Sequence, residues 1–444
     1  MIRDIDSYLR QWKDQPRRYP ILVRGARQVG KSYTVSQFGA EVFDSFIEVN
    51  FEFKPEFKGC FEALEPKLIV ENISLLTGQE IIPGQSLLFL DEIQECPKAI
   101  MALRYFYEQM PELHVIGAGS LLEFALESQN FKMPVGRIQY FYMQPLSFGE
   151  FLDACGEGRL RSHISELRLL STITEPVHNK LIQLLRKYFI LGGMPAVIDE
   201  YIASGNIRRC GEIQQIIIQT YRDDFGKYAS RVKHRYLEKI FYAVPKMVGQ
   251  KFKYSHVDQN VQSRELKEAL EMLEKASVVQ RVFRTSGFGM PLEANASERH
   301  FKVVFCDLGL MQTICGLEAQ TAMATDLTSV NKGALAEQFV AQELNAYRDY
   351  HIPPSLHYWA REYRNSSAEV DYLMTIGSRI IPLEVKAGST GRLRSMHQFF
   401  EQYGQCLGIK ICQDPFSRTK PIFSIPLYGI KALKGILATE LEST

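Results

Sequence analysis

The sequence predicts an α/β chain led by a parallel sheet, on three observations. Residues 25–32 read GARQVGKS, a complete G-x-x-x-x-G-K-[ST] loop set between an apolar run and a stretch that can start a helix. Short apolar and β-branched runs recur at 19–24, 46–50, 87–90, 114–118 and 138–141, with helix-compatible sequence between them. The third run ends in Asp91-Glu92, which puts two acids where a parallel strand delivers its C-terminal end.

Taken in order, residues 1–18 predict a helix with Ile5, Tyr8, Leu9 and Trp12 on one stripe. YPILVR then predicts a buried strand leading into the loop. Gly25 and Gly30 allow backbone geometry that side chains would obstruct, so successive N–H groups can point at phosphates. The nucleotide contacts expected are Gly25, Ala26, Arg27, Gln28, Val29, Gly30, Lys31, Ser32 and Tyr33. Lys31 supplies charge to the terminal phosphates, Ser32 a hydroxyl for Mg2+, and the following helix its positive end. Asp91 is expected in the Mg2+ shell, and Glu92 facing the attacking water. Ser120, after the fourth strand, is a candidate sensor of the terminal phosphate or a helix cap. Arg137, before the fifth strand, is a candidate phosphate contact in cis or in trans, or a surface arginine.

At 444 residues the chain is long enough for several domains. The expected divisions are a nucleotide core over 1–150, a helical lid or connector over 151–250, a winged-helix-like region over 251–330 and a C-terminal domain over 331–444. With 52 Lys and Arg against 51 Asp and Glu, the net charge of +1 gives no global argument for nucleic acid or acidic lipid. MIRDIDSYLRQWK has no apolar core and no apolar run reaches the length of a membrane span, so a cytoplasmic protein with no membrane partner is expected. The eight cysteines have no C-x-x-C spacing, which argues for reduced thiols and against a zinc site.

A second constellation lies near the C-terminus. Residues 369–375 and 379–386 predict two strands joined at Gly377-Ser378. That turn sets Asp371 across from Glu384 and Glu369 across from Lys386, all four on one face. Opposed carboxylates repel unless a cation sits between them, so a divalent metal on Asp371 and Glu384 is expected, with Lys386 orienting a water or stabilising a phosphorane. Glu337, interrupting the small apolar face of a helix over 332–344, is expected to complete the metal shell. The alternative is a solvated hairpin with Glu369 and Lys386 as a cross-strand ion pair and a helix acid at the rim; a one-residue slip in register would separate the side chains.

With these residues on the page, the chain resembles a bacterial and archaeal family of AAA-type ATPases whose C-terminal part is similar to the PD-(D/E)xK nuclease fold. The likeness rests on GARQVGKS, LLFLDEIQ, GAGSLL, GRIQYFYMQPLSFGEF and GGMPAVI at the front, and on YRDDF, FCDLGL, GALAEQFV, EVDYL and LEVKAG at the back. It implies a P-loop NTPase sheet with a helical lid and winged-helix-like region, followed by a restriction-endonuclease-like α/β domain. It implies ATP and Mg2+ at the loop, and it maps Glu337, Asp371, Glu384 and Lys386 onto the nuclease positions, with Val370 in place of the proline. In that family the C-terminal domain has no assigned activity. Two functions are therefore expected as competitors: an ATPase coupled to a metal-dependent DNA phosphodiesterase, and an ATP-governed switch whose nuclease-like domain binds a protein or DNA without cutting. Residues 333–444 hold 12 Lys and Arg against 11 Asp and Glu, which lacks the basic surplus of a DNA-gripping surface.

Overall fold

The five apolar runs at the front become five parallel strands, of which the first, third and fourth are buried almost throughout, as the inner strands of a helix-covered parallel sheet are. They are β1 (Ile21–Arg24), β2 (Ser45–Asn50), β3 (Ser86–Asp91), β4 (His114–Ala118) and β5 (Gln139–Tyr142), in the order β2-β3-β4-β1-β5. Every neighbouring pair is parallel. The computed structural model describes residues 1–119, 136–168, 173–228, 231–363, 366–386, 393–404, 407–419 and 421–442. It divides into two compact units: Met1–Gln144 with Lys275–Val278 and Arg348–Pro354, and the remainder.

In the first unit, helices α1 (Ile5–Lys13), α2 (Lys31–Val42), α3 (Pro66–Thr77) and α4 (Pro97–Gln109) accompany the sheet. Leu88, Leu90, Ile100 and Phe106 join one core with Leu22 and Ile47. The α1 stripe buries Ile5, Leu9 and Trp12, and the Trp12 indole donates to the Tyr19 carbonyl at 2.7 Å. β1 lies between β4 and β5, so strand order reverses beside it, and the crevice at its carboxyl end is where an open parallel sheet binds ligands.

The second unit begins with helices, including Phe148–Ala154, Glu175–Leu191, Pro195–Ser204 and Ile207–Tyr228. It continues into an eight-stranded sheet. Its strands are β6 (Val279–Thr285), β7 (Ala296–Phe305), β8 (Leu356–Tyr363), β9 (Ser366–Ile376), β10 (Arg379–Val385), β11 (Gly408–Cys412), β12 (Ser417–Thr419) and β13 (Ile422–Pro426), ordered β12-β13-β11-β10-β9-β8-β6-β7. Helix Ser263–Lys275 followed by the β6–β7 hairpin has the anticipated helix–strand order, yet β6 pairs in parallel with β8, Val282 opposite Leu356. A lone hairpin leaves edges and a face uncovered, and joining the larger sheet removes that cost. The eight-stranded sheet therefore runs across the boundary expected at 330. Among the described residues no helix is long and apolar enough to cross a membrane, and the seven cysteines described are free.

A buried polar joint explains several of the sequence motifs in this unit. The Asp307 carboxylate caps helix Leu308–Cys315 by accepting the Leu310 N–H at 3.0 Å, and it also accepts the Gly193 N–H at 2.6 Å. Gly192, at φ 74°, has no room for a Cβ, which would run into that carboxylate. Helix Ala334–Ala346 supplies three further acceptors: Gln338 for the Phe305 N–H at 2.8 Å, Gln342 for the Leu308 N–H at 2.9 Å and Glu343 for the Phe148 N–H at 2.9 Å. Loop amides that would otherwise be orphaned in a dry interior are satisfied in this way.

The joint has a pH signature. Burial pushes the Glu343 carboxyl up to about 8, against the pull of the Phe148 amide. The folded chain thus binds this proton more tightly than the unfolded chain does, and stability falls as pH rises from the ordinary glutamate value of 4.5 through about 8. Glu343→Gln keeps an acceptor for Phe148 and cannot ionise. Its melting temperature should decline less than the wild type's between pH 5 and pH 9, as followed by circular dichroism.

Candidate functional site

The loop after β1 has the backbone that phosphates require. Gly25 sits at φ 146° against the Met143 carbonyl, Gln28 at φ 64°, and Gly30 at φ 92° in the left-handed region as the N-cap of α2. Such alternation turns successive N–H groups to one side, at the positive end of a helix. Lys31 is 7% exposed, and its ammonium donates to the Gly25 and Ala26 carbonyls at 2.9 and 2.8 Å. Burial lowers its pKa to about 8, opposed by the negative charges of Glu92 and Asp91.

β3 brings its acids to the same place, since parallel neighbours deliver their carboxyl ends to one edge. Asp91 is buried, with Oδ1 accepting the Ser32 hydroxyl at 2.9 Å and Oδ2 accepting the Asn50 amide at 3.0 Å. Burial raises the Asp91 pKa, and the Ser32 hydrogen bond works against that rise. The donor set fits Mg2+: adjacent oxygens of an octahedral ion with ligands near 2.1 Å stand about 3 Å apart, close to the Ser32–Asp91 spacing. Glu92 follows at φ 46°, a left-handed conformation for a residue with a Cβ.

Two residues here escaped the sequence reading. Asn50 ends β2 beside Asp91 and fastens its own turn by accepting the Phe53 N–H at 2.8 Å. Gln94 is 6% exposed and donates through Nε2 to the Glu92 carboxylate at 2.6 Å. Its Oε1 has no hydrogen-bond partner, and a Cβ on Gly119 would collide with it. The only signal was the glutamine of LLFLDEIQ.

In the second unit the hairpin register is the expected one: Arg379 opposes Ile376 and Leu383 opposes Tyr372. Asp371 accepts the Val385 N–H at 2.9 Å, and Glu384 is 2% exposed. Glu337 and Glu369 join them. The cation among them was not foreseen. Lys302 of β7 is 3% exposed and stands 2.6 Å from Glu369, 3.3 Å from Glu337 and 3.6 Å from Asp371. Burial disfavours its charge, but Glu337, Asp371 and Glu369 overcome that and hold its pKa well above the ordinary value. Burial also lifts the Glu337 and Glu384 carboxyls to about 7, with Asp371 adding to both.

Lys386 pairs with Glu384 at 3.1 Å instead of Glu369, because β9 and β10 cease to pair after Leu383. Among the described residues no group of three or more His, Cys, Asp or Glu is arranged to hold a metal, and the charge that faces Glu337 and Asp371 is the Lys302 ammonium. Arg137 lies just before the start of β5, so in a parallel sheet it is at the edge opposite the phosphate loop. There it meets Glu108 at 3.3 Å and cannot reach the loop of its own chain. Ser120 falls outside the described residues.

Comparison with known families agrees with the first unit. A model described as an AAA domain matches residues 17–152. Residues 17–152 form an AAA domain. Two further models, each described as a domain of unknown function, match residues 182–321 and 332–428. The first crosses the boundary expected at 250 and takes in β6 and β7. Among solved structures, a Walker-type ATPase of Pyrococcus abyssi aligns at 16% identity over 71% of this chain and 96% of its own, with a TM-score of 0.46. The ORC2 protein of Aeropyrum pernix, in ADPNP and ADP complexes, aligns at 15% over 72% and 92%, with a TM-score of 0.35. The ORC1 protein of the same organism, solved with DNA, aligns at 12% over 71% and 93%, with a TM-score of 0.27. No curated protein matches the chain significantly. The AAA domain thus carries the loop, Asp91, Glu92, Asn50 and Gln94, and the carboxylate cluster lies outside it.

Proposed function

We propose that the chain is a Mg2+-dependent ATPase of AAA type, on the single observation that Ser32, Asp91 and Glu92 meet at the mouth of the phosphate loop. The loop amides and the Lys31 ammonium would hold the triphosphate, and Ser32 with Asp91 would hold the metal. When bound, Mg2+ supplies charge neutralisation at the phosphates. Glu92 would orient the attacking water, and Gln94 would set the angle of the Glu92 carboxylate. Adenine specificity follows from the family likeness alone.

Calorimetry with ATP or ADP and Mg2+ tests the reading, and well-folded protein that gives no heat of association would end it. The role of Gln94 has its own readout. Gln94→Ala should lower kcat about 10-fold, leave KM for ATP within about twofold, and recover in Gln94→Asn only in part. Equal changes in kcat and KM would make Gln94 a structural residue.

For the second unit the reading that fits best is a nucleotide-governed binding module that does not cut nucleic acid. Its support is Lys302 among the carboxylates and the even charge balance over 333–444. A protein is the partner favoured. Faster ATP turnover on adding DNA would move the reading to DNA, and a purified protein that cleaves branched or single-stranded DNA with Mg2+ would restore the phosphodiesterase.

A further inference from the structure

We infer that the Lys302 ammonium is the resident cation of the cluster formed by Glu337, Glu369, Asp371 and Glu384, and that it closes this centre to divalent metal. An ammonium has three donors; Lys302 has Glu369 at 2.6 Å and Glu337 at 3.3 Å within hydrogen-bond reach, and the Asp371 carboxylate at 3.6 Å adds a third negative charge beside it. The spacings of 2.6 to 3.6 Å belong to ion pairs, whereas Mg2+ demands oxygens at about 2.1 Å in near-octahedral geometry. The Tyr358 ring adds a face 5.4 Å from the same nitrogen, a surrounding that suits an ammonium and gives a divalent ion nothing.

Two further oxygens of the hairpin are committed elsewhere: Asp371 Oδ2 accepts the Val385 N–H, and Glu384 Oε1 faces Lys386. Glu384 Oε2 is buried with no hydrogen-bond partner among the described residues. A divalent ion drawn to it would enter beside a buried ammonium that cannot leave, because Lys302 is anchored in β7 with its side chain 3% exposed. Like charges buried together, away from water, repel strongly. The acids and the lysine of a hydrolytic site are thus present, while an internal cation stands where the metal would be. The centre is then a charge-paired joint that ties β7 and helix Ala334–Ala346 to the hairpin.

The inference predicts that deleting the ammonium opens a metal site. Mn2+ binding to the full chain without nucleotide, read by electron paramagnetic resonance, is the measurement. Wild type and Asp371→Asn should take up Mn2+ identically. Lys302→Met should gain one site at least about 10-fold tighter than any in wild type, and Lys302→Met with Asp371→Asn should lose it. Lys302→Arg, which keeps the charge, should behave as wild type. Should Lys302→Met be unfolded in metal-free buffer, Mn2+ should restore its circular dichroism. The inference is overturned if wild type holds Mn2+ at a site that Asp371→Asn abolishes, or if Lys302→Met, folded or not, gains nothing from Mn2+. ATP turnover enters none of these arms, so their failure leaves the ATPase reading standing.

Discussion

Glu92→Gln should leave ATP binding intact and slow hydrolysis about 100-fold or more, the range by which a positioned general base contributes. The two effects separate because the binding groups and the water-orienting group are different residues. On the proposed reading phosphates would meet the loop amides and Lys31, and Mg2+ would meet Ser32 and Asp91, none of which changes. Glutamine keeps the size of Glu92 and the left-handed turn at φ 46°, but it replaces one carboxylate oxygen by an amide donor. That donor cannot accept a proton from water, while the remaining carbonyl oxygen can still accept the Gln94 Nε2 hydrogen bond, so the loss reports the missing carboxylate and not the Gln94 contact. The measurements are calorimetric affinity for ATP with Mg2+ and the single-turnover rate of phosphate release. Turnover within threefold of wild type would remove Glu92 from the chemistry.

The phosphate site was legible because its chemistry is written in contiguous residues. Eight positions from Gly25 to Ser32 specify both the backbone turn and the charge, and the apolar run Leu87–Leu90 aims Asp91 and Glu92 at them. The hairpin register was legible for a similar reason, since Gly377, at φ 56°, can take the turn that aligns Arg379 with Ile376. Lys302 was not, because it reaches Glu337 across 35 positions of sequence and a single lysine in a strand has no periodicity to mark its target. The pairing of β6 with β8 was hidden in the same way, since an apolar strand pattern does not name its neighbour. For Arg137 the contact in cis could have been set aside from the sequence itself. A residue preceding a parallel strand belongs to the edge opposite a loop that follows one, and that rule alone sends Arg137 to Glu108.

Asp307→Ala should destabilise the second unit by about 3 kcal/mol at pH 5, the cost of orphaning two buried donors and removing a helix cap. The donors are the N–H groups of Gly193 and Leu310, and the packing leaves them no substitute, because Gly192 and Gly309 bring the backbone too close for rearrangement. The loss should shrink as pH rises. Burial lifts the Asp307 carboxyl to about 6 from an ordinary 3.8, so the wild type loses stability as pH climbs through that window while the alanine variant has nothing to ionise. Urea unfolding of both proteins at pH 5 and pH 8 tests magnitude and sign together. A difference smaller at pH 5 than at pH 8 would mean that Asp307 contributes through its charge. The motifs GGMPAVI and FCDLGL would then need an explanation other than satisfying each other's amides.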